Sequence, residues 1–374
     1  MHSLEPARVA SDPRSLTRPY FPAKSMGFSP AKGIDALQWP ATLASLLVFF
    51  AISFILSARE IYVAVDDLNY VAYFSNSELF YERLELEGAD WWQLFIDEPL
   101  WNVYTTAMGV TFGPEMAFRI TIFAGALLYF LAATRLAGGN WATTTFFFVL
   151  HPSIGAQLYV NQIRQGVAFS VFLMLAAVLK QRPSIRTALA SGVAALVHST
   201  FIPMLLLSAL YIVKARTRVI ASIVCVVAIV VASQYVDLLS MISIGRREGE
   251  YSSRVTVNAN FYIAMLTTYG SIFYLLWPGT KESDASEWYF LSFAIAAFVI
   301  CAVSVFDGGG RLTCISDTVV CILVARNIRS RNGIMAFWVM VCVMFITIIS
   351  NYKYDSVTQA NSIEKWQIIL FGKK

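Results

Sequence analysis

Apolar residues in this chain fall in long continuous stretches, neither alternating as in a half-buried strand nor confined to one stripe as in a soluble amphipathic helix. The pattern predicts helices at 41–58, 116–134, 141–152, 161–179, 187–198, 200–213, 219–236, 259–277, 288–306, 312–325 and 334–350. A hydrocarbon core takes about 20 helical residues to cross, and several of these stretches approach that length. Continuous runs also exclude a membrane β-barrel, whose strands alternate. The expected fold is therefore all-α and polytopic, with about eleven transmembrane helices (ten to twelve) and no sizeable soluble domain. The stretch 100–112 is apolar but short and carries Trp101, Asn102 and Tyr104, which fits an interfacial helix.

Composition agrees with that pattern. Apolar residues make up 57% of the 374-residue chain and charged residues 14%, against the roughly 45–50% apolar share of soluble domains. The mean hydropathy is +0.61. The five cysteines, Cys225, Cys301, Cys314, Cys321 and Cys342, all lie in apolar segments and read as small packing residues. No disulfide, metal or cofactor is expected.

Polar segments divide the chain. Residues 1–39 hold Arg8, Arg14, Arg18, Lys24 and Lys32 among several prolines and read as a flexible cytoplasmic tail, without the short apolar core of a cleavable leader. Residues 40–350 form the transmembrane domain and 351–374 a C-terminal tail. Within the domain, 59–113 is a loop with its interfacial helix, and 237–258 is a second loop. Arg59 to Glu98 carries ten of the 24 acidic residues against two arginines.

Orientation follows from basic residues in short loops, which favour the cytoplasm. The clusters Lys180/Arg182/Arg186, Lys214/Arg216/Arg218 and Arg326/Arg329/Arg331, with the basic tail, set the N-terminus inside and the acidic loop outside. The segment between Arg186 and Lys214 must then go out and return as two short helices, turning at His198, Ser199 and Thr200. Such a hairpin implies a cavity facing outward, because irregular backbone at membrane depth must line protein or water.

A second set of arginines lies on the outer side: Arg164, Arg246, Arg247, Arg254 and Arg311. Snorkelling to lipid headgroups accounts for a single arginine there. Five beside a cavity point instead to phosphate or pyrophosphate oxygens, which a planar guanidinium grips in pairs. Gly308, Gly309 and Gly310 precede Arg311 at a helix start, where freed amides can face an anion, or simply make a turn. Asn161, Arg164 and Gln165 are spaced to share one helix face at the mouth of a span, as a substrate site or as a structural hydrogen-bonding knot.

His198 and His151, which precedes Pro152, are also assigned to the outer side and are candidates for a general base or for packing roles. Among acids, Asp66 and Asp67 follow the first span, while Asp97 and Glu98 open the interfacial helix, where a carboxylate usually caps. Asp317 lies inside a span six residues from Arg311, and pairing with an arginine is its expected role.

NQIRQGVAFSVFLMLAAVL at 161–179 and LASGVAALVHSTFIP at 189–203 resemble the EpsG family of bacterial polysaccharide proteins, which are Wzy-like polymerases. DDLNYVAYF at 66–74, DEPLWNVYTTAMG at 97–109 and, more loosely, GGGRL at 308–312 extend the resemblance over about residues 60–325. The resemblance implies a layout like that of the GT-C glycosyltransferases, with acidic residues such as Asp66 and Asp67 in the first outward loop. It also implies a polymerase of undecaprenyl-pyrophosphate-linked oligosaccharide repeats for O-antigen (lipopolysaccharide), capsule or exopolysaccharide. That enzyme would sit in the bacterial inner membrane with its active site facing the periplasm, among membrane lipid, a chain-length regulator and other assembly proteins, with no nucleic-acid partner. On this reading His198 or Asp66 is the base, with Arg164 a third catalytic residue. Arg164, Arg311, Arg246, Arg247, Arg254, Asn161, Gln165, Asp67, Glu98 and His151 bind substrate. The alternatives are a flippase or transporter of lipid-linked sugars and a GT-C transferase or ligase that adds one sugar or a finished chain.

Overall fold

The computed structural model describes residues 32–61, 67–75, 98–151, 154–179, 183–208, 210, 217–218, 220–224, 226–227, 259–278, 284–305 and 312–351. The chain falls into two units, Met1–Pro40 and Ala41–Lys374. Of the first, only 32–40 is described, as helix. The second unit carries everything that follows.

All described secondary structure is helical. In chain order the helices are α1 (Lys32–Ala58), α2 (Asp67–Ser75), α3 (Pro99–Phe112), α4 (Pro114–Leu136), α5 (Trp141–Leu150), α6 (Ala156–Val160), α7 (Ile163–Val178) and α8 (Pro183–Val197). A 3-10 turn (Ser199–Phe201) leads to α9 (Ile202–Leu207), and α10 (Ala259–Leu275), α11 (Asp284–Val305), α12 (Thr313–Asn327) and α13 (Arg331–Asn351) complete the set. Proline at the first turn of α3, α4 and α8 begins each helix where a missing N–H costs nothing.

Among the described residues two helices are long and apolar enough to cross a membrane, Trp39–Ala58 and Pro114–Leu136, with mean hydropathies of 2.3 and 1.8. Other apolar helices among the described residues are shorter, so the expected count of eleven full spans is not reproduced there. The stretch expected as one span at 141–152 shows why. Helix α5 stops at Leu150 after 10 residues, about 15 Å of rise. The backbone then turns through Gly155 at φ 62°, and the five-residue α6 follows. The span expected from 161 begins at Ile163, with Asn161 in the turn and Gln162 at φ −136°. Of the hairpin predicted at 187–213, the described part is α8, the 3-10 turn and α9 as far as Leu207.

Helices α4 and α7 run side by side and form the centre. Gly125 of α4 makes room for both neighbours: a Cβ there would meet the Tyr159 ring of α6 at 2.9 Å and Val167 of α7 at 3.4 Å. Tyr159 in turn donates to the Gly125 carbonyl at 2.8 Å and pairs with Ser170. Rings of Phe49, Tyr129, Phe130 and Phe148 fill the space alongside, and the Tyr129 hydroxyl is met by Thr318 of α12 at 2.6 Å. Large apolar side chains of α1, including Leu47, Phe50 and Phe54, point outward instead, as lipid-facing positions do. Helix α2 packs on α3 and α4, and at Gly109 a Cβ would collide with the Phe74 carbonyl oxygen.

The two ends of this bundle differ. At the N-terminus of α12, Cys314 donates its S–H to the Gln162 side chain at 3.1 Å. Twelve residues on, about 18 Å along the axis, Arg326 reaches the Leu136 carbonyl at 3.5 Å and Asn140 donates to Ala325 at 2.7 Å. The helix starts near Gln162 thus lie opposite the Arg326/Arg329/Arg331 cluster.

Candidate functional site

Three segments meet at the Gln162 end. Glu98 stands at the N-cap of α3, with φ 61° and ψ 61°, yet its side chain makes no capping bond. It is the only described non-glycine residue with positive φ. A left-handed backbone costs such a residue roughly 1–2 kcal/mol, so the surroundings hold it there. Its carboxylate is used elsewhere. Oε2 takes Nη1 of Arg164, in the first turn of α7, at 2.6 Å. Oε1 pairs with Nδ1 of His198, the residue between α8 and the 3-10 turn, and accepts from the Ser199 amide at 3.1 Å.

Burial by itself would raise the Glu98 pKa. The positive charges of His198 and Arg164, with hydrogen bonds from His198 and the Ser199 backbone, outweigh it and lower the group to about 2. An ionised carboxylate has no proton to give, so Nδ1 of His198 is the donor. In a neutral ring that leaves the lone pair on Nε2, the nitrogen able to take a proton.

Arg164 is further fixed by α2: Nη1 donates to the Tyr73 hydroxyl at 3.3 Å, and its guanidinium carbon lies 5.5 Å from the centre of that ring. Tyr73 belongs to an aromatic wall around the buried Trp101, with Tyr70, Phe74 and Tyr104 at centroid distances of 6.0–6.4 Å. Four buried polar atoms on these segments have no hydrogen-bond partner among the described residues: Trp101 Nε1, Asn161 Oδ1, Arg164 Nε and Thr200 Oγ1. Unsatisfied buried polar atoms are rare, and four in segments that meet at one carboxylate mark a place where a polar ligand or water would be held.

Beside the site lies a second acid–arginine pair. Asp67, at the start of α2, takes both Arg59 Nη atoms at 2.5 Å in a bidentate bridge. Arg119 of α4 donates to the carbonyls of Ser57 and Arg59 at 2.8 and 2.9 Å, tying down the end of α1.

The expected site residues divide accordingly. Arg164, His198 and Glu98 come together, although Glu98 is a hub between segments and not the cap its position suggested. Asp67 is turned inward onto Arg59, with no exposed side-chain surface, and offers nothing to a substrate contact. Asn161 does not continue the face of Arg164 and Gln165, because the helix begins two residues after it, and Gln165 is buried. His151 closes α5, donating its N–H to Phe147 at 2.8 Å, and is buried. Asp317 meets no arginine in the described region; it accepts from Tyr269 of α10 at 2.5 Å. Asp66, Asp97, Arg246, Arg247, Arg254, Arg311 and Gly308 to Gly310 lie outside the described residues. At the hairpin turn Phe201 packs onto Phe169 and Phe172, and the Ser199 amide donates to Glu98. A small space beside Arg218, Ser222 and Phe290 has room for about one water at 10 Å³. Tyr73 and Ser199 were not expected in the site; Tyr73 sits within the DDLNYVAYF stretch, which was its only signal.

No curated protein and no solved structure matches this chain. The profile of the EpsG family matches residues 42–363, which takes in every element of the site, the long apolar helix Pro114–Leu136 and most of Trp39–Ala58. The chain therefore belongs to the EpsG family, and it is a membrane protein with the general activity of a Wzy-like polysaccharide polymerase acting on lipid-linked oligosaccharide.

Proposed function

We propose that the protein polymerises undecaprenyl-pyrophosphate-linked oligosaccharide repeat units on the periplasmic face of the bacterial inner membrane. The observation that carries this is the Glu98–His198–Arg164 constellation at the end of the bundle opposite the basic Arg326/Arg329/Arg331 cluster. Basic loops face the cytoplasm, so the constellation belongs to the outer face.

In the reaction, an acceptor hydroxyl of one repeat unit attacks the anomeric carbon of the growing chain. A new C–O bond forms, the bond from that carbon to the pyrophosphate breaks, and its electron pair leaves on the pyrophosphate oxygen. His198 Nε2 takes the hydroxyl proton. Arg164 keeps its Nε donor for a substrate oxygen, and Arg311, Arg246, Arg247 and Arg254 meet the charge of the departing pyrophosphate, an electrostatic task that fixed cations perform without a metal. Eleven spans with a GT-C-like layout would complete the enclosure.

The test incubates the purified full-length protein with a synthetic lipid-linked repeat unit, with and without a chelator. A ladder of products that survives chelation is expected. A single addition would make the protein a ligase, and no chemistry at all would make it a transporter.

A further inference from the structure

We infer that Glu98 is a positioning residue for the transfer reaction: it fixes the His198 ring with Nε2 as the proton acceptor and couples that base to Arg164. The inference rests on the proposed function for the reaction, but its geometry stands independently.

The single carboxylate is shared by the two groups assigned to substrate, with one oxygen for each. Its own helix would ordinarily claim it, since a carboxylate at an N-cap bonds the first free amides. Here those amides are forgone and the backbone is held at positive φ, so that the side chain reaches across to α7 and to the turn after α8. A role confined to stability would be met by the cap alone. The unpartnered Arg164 Nε and Thr200 Oγ1 beside it are donors, or in the case of Thr200 also an acceptor, that a sugar hydroxyl would satisfy.

Among the described residues, Glu98 from the start of α3 meets His198 and, through its other oxygen, Arg164 of α7, on which Tyr73 and Tyr70 of α2 also act. Arg186, on α8 itself, lies near the other end of that helix and is bridged to Glu287 at 3.9 Å. The 3-10 turn and α9 contribute no ionisable side chain. Removing the Glu98 carboxylate therefore takes away the described acceptor that holds Nδ1–H and leaves both tautomers open to the ring.

The experiment uses the full-length protein labelled at histidine. Only three histidines exist, so the His198 ring signal is assigned by subtraction with His198→Ala. The ring nitrogen signals of His198 should report the Nδ1–H tautomer in the wild type and a mixture with the Nε2–H tautomer in Glu98→Gln. In the polymerisation assay Glu98→Gln should slow ladder formation at least tenfold with the thermal unfolding temperature retained. Should Glu98→Gln not fold, Glu98→Asp, which keeps the charge on a shorter arm, should show the rate loss with a smaller share of the Nε2–H tautomer. An unchanged tautomer in Glu98→Gln or a wild-type rate would overturn the inference. A wild-type protein that makes no ladder overturns the polymerase reading instead, and the histidine tautomer still decides the role of Glu98.

Discussion

Two acid–arginine pairs lie side by side in this protein and are put to different uses. The side chains of Arg59 and Asp67 are 3% and 0% exposed, and the bridge between them is bidentate and closed. Glu98 is 7% exposed, but its partners Arg164 and His198 retain 29% and 16%. In the first pair each charge answers the other and the unit staples α2 to the end of α1. In the second, one carboxylate divides its oxygens between two partners that still have surface or donors to offer. The presence of an ion pair thus says little about function, whereas the capacity left over on its members separates the staple from the site.

The largest separation should come from His198→Ala. Loss of a general base lowers turnover by about 10²–10⁴-fold, and initial rates on a lipid-linked repeat should fall by that much while the thermal unfolding temperature stays near wild type. A variant that unfolds would make His198 part of the scaffold, like Asp67, and erase the distinction.

Asp67→Asn should behave in the opposite way. Removing one member of a buried pair leaves an uncompensated charge and costs about 3–5 kcal/mol of stability. The yield of folded protein and its unfolding temperature should drop, and the surviving fraction should retain its turnover. A stable, inactive Asp67→Asn would move that pair into the site.

Arg164→Lys sharpens the comparison further. Lysine keeps the charge but not the fork that joins Glu98 and Tyr73, nor the flat face over the Tyr73 ring. Loss of one charge-assisted contact is worth about 1.5–3 kcal/mol, or roughly ten- to hundredfold in rate if it acts in the transition state. Ladder gels at matched expression should show Lys no better than Ala; full polymer from the lysine variant would reduce Arg164 to a simple cation.

The smallest effect is confined to acid. Because the folded-state pKa of Glu98 is lowered from 4.5 to about 2, its contribution to stability is fully present above the ordinary value and is lost as pH falls through the window toward 2. Unfolding curves of wild type should lose that contribution relative to Glu98→Gln as pH falls between about 4.5 and 2. A difference that stays constant across that window would assign the stabilisation to another group.

Helices were legible in the sequence wherever the apolar run was long, as in α1, α4, α10 and α13, because burying or lipid-exposing a whole turn needs only local composition. The breaks were less so. Pro152 and Gly155 sit in a run hydrophobic enough to look continuous, and the α5–α6–α7 interruption depends on how Tyr159 packs into the notch at Gly125. Asn161 was misread for the same reason, since its helical spacing to Arg164 exists only if the helix starts before it.

The sequence by itself determined that this is an all-helical membrane chain, that basic loops mark one side of it, and that Arg164 and His198 are chemically out of place among apolar neighbours. Those properties are local or compositional. Only the tertiary structure decided that Glu98 joins them and Asp67 does not. Both acids stand at helix starts as the second of two consecutive acidic residues, and nothing local distinguishes them. Their partners lie on other helices, and whether a carboxylate ends against one sealed arginine or between an arginine and a histidine depends on how α2, α3, α7 and the turn after α8 come together, which is set by side-chain packing among residues far apart in the chain.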